Sequence, residues 1–387
     1  MKNSFNPQPW RKEFPCCKKL VYLDHASMGP IPKSSIKVAS DFYRYLTFER
    51  VHWGHTFLFM ALEKSRKLAA RLIGAKSTEI GISPNTSYGF NLVAQGLKLK
   101  RGDTVLLSEA EFPANVYPWM NLKRQGVRIR FIQSRNGFFS VENLKEAIDR
   151  STKVLSLSFV QFFNGYKNDL ETIGKLCAEK GLTFVVDGMQ GIGSQALDVK
   201  KCKIDFLSCG GGKWLLSAPG AGFFYASEKL QEKLEPVFFG WLGVDWHYRF
   251  GDLLHFDKPP FASARKFEIG TYPYAELQIL ACSLKLISKI GIRNIQAHTG
   301  YLLDILVNYL GDSRYRIQSS LEAKHRSSIL SFTCRGAEKL HQKLFRNRIL
   351  CSFREGNIRV SPHFYNTETE IYLLIEILGQ NRGKSQA

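Results

Sequence analysis

Short apolar runs and amphipathic runs alternate from Thr104 to Asp187, and this pattern restricts the fold more than any other feature of the chain. Thr104–Ser108, Val127–Ile132, Lys153–Phe159 and Leu182–Asp187 have the length and β-branched content of strands, while Val141–Ile148 and Leu170–Lys180 carry helical spacing between them. Such alternation predicts an α/β fold with a mainly parallel sheet covered by helices on both faces. Its last run, Leu182-Thr-Phe-Val-Val-Asp187, delivers an acid at the carboxyl end of a strand, and Gln190 follows three residues later. Ligands of open α/β sheets bind beyond the carboxyl ends of strands, so Asp187 and Gln190 are placed to face one.

About twenty residues further on, Lys213 stands in a glycine-rich loop, Cys209-Gly-Gly-Gly-Lys-Trp-Leu-Leu216, punctuated by Pro219, Gly220 and Gly222 before another apolar run. Three glycines remove side-chain bulk and let the backbone approach a ligand closely. Desolvation by Trp214, Leu215 and Leu216 lowers the proton affinity of an amine, making Lys213 a usable nucleophile toward an aldehyde. A solvated surface turn is the alternative, and the nearby Asp187 argues against it.

The 387 residues are 44% hydrophobic and 23% charged, enough for one large and one small domain. We expect an arm over 1–20, a large domain over 21–285, a small C-terminal α+β domain over 286–378 and a flexible tail over 379–387. Eight cysteines with no C-x-x-C pair, and no secretory apolar segment, predict a reduced, cytoplasmic setting. No apolar run reaches the length of a membrane span, and no metal site is expected. The net charge of +20 is spread along the chain rather than blocked, so nucleic acid is not the expected partner.

Other stretches carry candidate chemistry. Val21-Tyr-Leu-Asp-His-Ala-Ser-Met-Gly-Pro30 is extended up to a Gly-Pro turn, and His25 within it either reaches a substrate or bonds to nearby backbone. Residues 56–73 repeat apolar positions at helical spacing and stop at Gly74. In Ile80-Gly-Ile-Ser-Pro-Asn-Thr-Ser87, Asn85, Thr86 and Ser87 open an apolar-periodic helix, where free N–H groups and hydroxyls suit an anion; simple N-capping is the alternative. Arg359, in Ile358-Arg-Val-Ser-Pro-His-Phe-Tyr-Asn-Thr367, offers a planar guanidinium that can bind a carboxylate through two parallel N–H···O bonds. Arg354, five residues earlier, is a second such candidate.

Together, the strand-end Asp187, Gln190, the Lys213 loop, the Ala114-Asn-Val-Tyr-Pro-Trp119 run, Phe267-Glu-Ile-Gly-Thr271 and the Arg359 segment resemble the class V aminotransferase family of pyridoxal-phosphate (PLP) enzymes, which includes cysteine desulfurases and isopenicillin N epimerase. The resemblance spans about residues 20–378. It implies the PLP-dependent transferase fold (fold type I) with a seven-stranded sheet, an amino-acid substrate and a Lys213 Schiff base to the cofactor. It further implies that Asp187 pairs with the ring nitrogen, Gln190 bonds the ring hydroxyl, Phe112 covers one ring face, Thr86 and Ser87 take the phosphate, and Arg359 holds the substrate carboxylate, with His25 nearby. Thr271 would reach the phosphate of a neighbouring subunit, which implies a homodimer.

Four positions depart from the family's pattern. Phe112 replaces the histidine that many desulfurases stack on the cofactor, and an Asn beside the cofactor hydroxyl falls at Phe162. The usual Ser and His before the lysine are Gly210 and Gly212, so phosphate binding leans on backbone N–H groups. These losses leave open a non-catalytic binding protein, against which the joint presence of Lys213, Asp187, Gln190 and Arg359 argues. Desulfuration needs an exposed, low-pKa thiolate on a mobile loop shortly before the C-terminal arginine. The one cysteine in that region is Cys351, flanked by Ile349 and Leu350 in an expected strand. Transamination, epimerisation or another lyase-type reaction at Cα or Cβ is therefore the expectation, with desulfurase or selenocysteine-lyase chemistry as the alternative.

Overall fold

The computed structural model describes residues 5–49, 54–134, 137–246, 251–311 and 314–380. Its centre is a seven-stranded sheet made of β1 (Ile80–Ser83), β2 (Thr104–Ser108), β3 (Arg128–Ile132), β4 (Thr152–Ser158), β5 (Thr183–Asp187), β6 (Phe206–Gly210) and β7 (Gly222–Ala226). In space the order is β1-β7-β6-β5-β4-β2-β3, and only β7 runs against the rest. The expected strands are the observed ones to within a residue or two.

Each central strand is apolar on both faces, as a sheet sandwiched by helices requires. Because successive side chains alternate, Leu155, Leu157, Phe184, Val186 and Leu207 join one core with the helices Gly54–Ile73, Leu170–Lys180 and Tyr274–Ile290. Val105, Leu107, Val154, Val185 and Phe206 point the other way, onto the helix Thr86–Gly96 and Trp119.

A second, antiparallel sheet of four strands is ordered Ser352–Arg354, Asn357–Val360, Leu330–Thr333, Arg316–Ile317. Leu330, Phe332, Ile358 and Val360 on one face pack with the helices Ile292–Gly311, Ala337–Arg346 and Glu368–Gly379. The opposite parity places Ser331, Ser352 and Arg359 on the face away from that core.

The described part of the N-terminal arm, from residue 5, is packed against the rest of the chain. Arg11 pairs with Glu370 at 2.9 Å and donates to the Tyr365 carbonyl, while Phe14 is buried and stacks on Tyr365 with ring centroids 3.8 Å apart. Val21–Tyr22 then pairs in parallel with Ile349–Leu350, and Leu23 joins the core of the C-terminal layer. Residues 5–23 thus pack against the C-terminal third of the chain. Of the tail expected over 379–387, Gly379 still belongs to the helix Glu368–Gly379, and residues 381–387 lie outside the described residues.

Candidate active site

Asp187 and Lys213 meet because β5 and β6 are parallel neighbours, with Asp187 opposite Ser208 in register. Asp187 ends β5, and the three residues after Cys209 are the glycines that carry the chain off β6 to Lys213. The loop is held tightly. A Cβ on Gly211 would stand 2.5 Å from the Ala221 carbonyl, and one on Gly29 would stand 2.1 Å from the Lys213 carbonyl. Gly29 donates its N–H to the Gly212 carbonyl at 2.9 Å, so the Gly-Pro turn of the N-terminal segment lies directly against the lysine loop.

Among the described residues the Lys213 amine donates no hydrogen bond; its Nζ lies 5.4 Å from the centroid of the Phe112 ring. Burial pushes its pKa down to about 8, against the pull of Asp187, with Arg359 adding to the depression. Asp187 is buried, and its Oδ1 accepts the Met189 N–H at 2.8 Å, while its other oxygen accepts no hydrogen bond among the described residues. Desolvation raises this carboxyl to about 6, opposed by the Met189 N–H and Lys213.

The helix Thr86–Gly96 points its N-terminus at the same edge. Gly89 lets it lie against β6, where a Cβ would meet Ser208 Oγ at 2.4 Å, and Ser208 donates to the Thr86 carbonyl. Asn85 caps the helix by accepting the Tyr88 N–H at 2.9 Å, as the N-capping alternative proposed. Thr86 Oγ1 instead accepts the Gly210 N–H at 3.0 Å, bridging the helix start to the lysine loop. Ser87 is exposed beside it. Phe112, 42% exposed, packs edge-on to Phe162 with centroids 5.3 Å apart.

Arg359 enters from the C-terminal sheet. Only 2% exposed, it donates to Ser352 Oγ at 2.9 Å, the Phe162 carbonyl at 2.5 Å and Ser27 Oγ at 2.7 Å, with Asp24 3.7 Å away. Burial lowers even this guanidinium to about 10. Gln190 is also buried, but its oxygen accepts the Trp214 indole N–H and one of its two N–H donors goes to the Ala26 carbonyl. One donor remains for a ring hydroxyl.

His25 is a correction. It is fully buried, with one ring nitrogen on the Ser361 carbonyl at 2.9 Å and the other on the Tyr365 hydroxyl at 2.8 Å. Both nitrogens are spent inside the protein, and burial holds the pKa well below the ordinary value. It braces the N-terminal segment and has nothing left for a substrate. Thr271 is exposed and makes no hydrogen bond among the described residues, whereas Glu268 in the same segment pairs with the buried Arg66 and accepts the Ile82 N–H.

Sequence reasoning missed Glu111. It is buried beside Phe112, accepting from Ser158 N at 2.9 Å, Ser158 Oγ at 2.5 Å and Asn115 Nδ2 at 2.8 Å; desolvation raises it to about 7. It thereby ties the Phe112 loop to the end of β4. The sequence signal was its place next to Phe112, just before the Ala114–Trp119 match. Cys351 lies between two short strands, 7% exposed, and burial pushes its thiol up.

An unpartnered amine, a strand-end carboxyl with one free oxygen, a flat ring and a helix N-terminus with bare glycines beside it form a donor set that fits PLP. Comparisons agree. The model of the class-V aminotransferase family matches residues 21–374. A probable cysteine desulfurase of Methanothermobacter thermautotrophicus is 28% identical over 396 residues, covering 96% of this chain and 97% of the relative. The apo cysteine desulfurase of Thermococcus onnurineus NA1 superposes with a TM-score of 0.87 at 24% identity, over 98% of this chain and 99% of that one. A mutant of C-DES with glycine covalently linked to its PLP cofactor gives 0.86 at 21% identity, over 95% and 98%.

Proposed function

The chain belongs to the class-V aminotransferase family and is a PLP-dependent enzyme of fold type I, and we propose that it acts at Cα or Cβ of an amino acid without using a protein persulfide. The observation that carries the reading is the unpartnered Lys213 amine set beside the strand-end Asp187. PLP, when bound, supplies an electron sink for a bond breaking at Cα.

The chain's own residues supply the rest. Lys213 would hold the cofactor and would serve as the base that moves the Cα proton, a role suited to an amine whose pKa burial lowers to about 8. Asp187 would hold a proton on the ring nitrogen through its free oxygen. Thr86, Ser87 and the N–H groups of the glycine loop would take the phosphate, and the remaining donor of Gln190 the ring hydroxyl. Phe112 shields one face from water but cannot relay protons. Arg359 orients the α-carboxylate. The exposed Thr271 is proposed to serve the phosphate of a second subunit, which makes the working form a homodimer. Eight free cysteines among the described residues suit a reduced, cytoplasmic setting. No helix among those residues is long and apolar enough to cross a membrane.

The relative's name favours a second reading, desulfuration. Against it stands the burial of Cys351, since a persulfide-forming thiol must be exposed and easily ionised. Supplying L-cysteine with a reductant and measuring sulfide and alanine separates the two. We expect little turnover; robust turnover that is lost in Cys351→Ala and kept in the other Cys→Ala variants would establish desulfuration instead.

A further inference from the structure

The hairpin that carries Arg359 carries a second arginine on the same face. Ser352 pairs with Arg359, Phe353 with Ile358 and Arg354 with Asn357. Phe353 and Ile358 belong to the C-terminal core. Alternation along both strands therefore puts Ser352, Arg354, Asn357 and Arg359 together on the opposite face, where Arg359 reaches Phe162 and Ser27. The turn is as short as a hairpin allows: Glu355 and Gly356 both take left-handed backbone angles, φ 46° and 74°. Arg354 and Arg359 are thus diagonal cross-strand neighbours, with Cα atoms about 7–8 Å apart, within reach of one small ligand.

Arg354 is also unspent. Among the described residues its guanidinium donates only to the carbonyl of Phe353, and it forms no ion pair. Its charge is felt by both Lys213 and Arg359, each of whose pKa it lowers. A cleft of about 740 Å³, lined by Glu109, Glu111, Phe162, Phe163 and Glu355, reaches the hairpin only at Glu355, and neither Arg354 nor Arg359 lines it. Of the acids there, Glu109 is held by the N–H and hydroxyl of Ser134, and Glu111 by Ser158 and Asn115. Glu355 is exposed at the hairpin tip and forms no ion pair with Arg354.

We propose that Arg354 is a specificity residue forming a second anion subsite, so that the preferred substrate is an amino acid with an acidic side chain, its α-carboxylate on Arg359 and its distal anion on Arg354. This rests on the role given to Arg359 above. The two-residue turn fixes where the Arg354 backbone stands, and its planar guanidinium matches a flat carboxylate.

The test uses the PLP-loaded enzyme and two unreactive probes, succinate and propionate, with binding measured by calorimetry and by the shift of the cofactor's visible band. Wild type is expected to bind succinate about tenfold or more tighter than propionate, equivalent to about 1.4 kcal/mol. Arg354→Ala should collapse that ratio to near one while leaving propionate affinity unchanged, and Arg354→Lys should restore part of it. Arg359→Ala should weaken both probes. Equal affinity of wild type for the two probes, or an unchanged ratio in Arg354→Ala, would overturn the proposal. Failure of the broader reading would show separately, as the absence of the visible band before any probe is added.

Discussion

Arg359 donates to the carbonyl of Phe162 at 2.5 Å, a hydrogen bond that joins the C-terminal sheet to the loop leaving β4 of the large sheet. Phe162 in turn packs edge-on against Phe112, whose ring lies over Lys213. Arg359, Phe162, Phe112 and Lys213 are therefore one connected set, and Asp24 and Ser27 of the N-terminal segment complete the cage around the guanidinium.

Arg359→Ala is expected to weaken amino-acid binding by roughly 2–5 kcal/mol, the usual cost of removing one side of a buried charged contact, while the cofactor stays bound. Substrate titrations followed at the cofactor band measure this. Overlaying curves for the two proteins would remove Arg359 from the carboxylate role.

Burial of an ammonium has a stability signature. Lys213 ionises at about 8 in the fold against an ordinary 10.5. Between those values the unfolded chain binds more protons, so the contribution of Lys213 to stability rises with pH across that window. Asp187, raised from 3.8 to about 6, acts in a separate range: the fold binds more protons there, and its contribution falls as pH rises from about 4 to 6. Without cofactor, Lys213→Met should melt above wild type at pH 7, with the gap closing between pH 8 and 10.5. A gap that does not change with pH would show that the amine is solvated.

Arg66 and Glu268 form a buried ion pair that fixes the Thr271 segment against Ile82. Arg66→Ala should cost about 3–5 kcal/mol, because it strands Glu268 in the core. Chemical denaturation checks the figure, and a loss below about 1 kcal/mol would mean that water reaches Glu268.

The central strands of the sheet were legible in the sequence because they are buried on both faces and appear as apolar runs. Asp187, Lys213 and Thr86 were legible because each sits at the end of such a run. What was not legible depended on partners far along the chain. The packing of the N-terminal arm was hidden because Phe14 and Arg11 are held by Tyr365 and Glu370, more than 350 positions away. For His25 both readings stayed open because nothing nearby in sequence shows that Ser361 and Tyr365 occupy both its nitrogens. Glu111 was not singled out, because nothing nearby in sequence shows that Ser158 closes around it from the end of β4.

Phe112→Ala should loosen the cofactor modestly, since an aromatic stack adds about 0.5–1.5 kcal/mol beyond the area it buries. Equilibrium dialysis of PLP from the two proteins measures the change. Identical retention would place the ring off the cofactor face.

The attachment of the cofactor to Lys213 is the claim on which the rest depends, and borohydride reduction of the purified, PLP-loaded enzyme followed by peptide mass mapping tests it most directly. The account predicts one pyridoxyl label, on the peptide containing Lys213, with label and visible band both missing from Lys213→Ala. A label on another lysine, or a band that survives in Lys213→Ala, would contradict it.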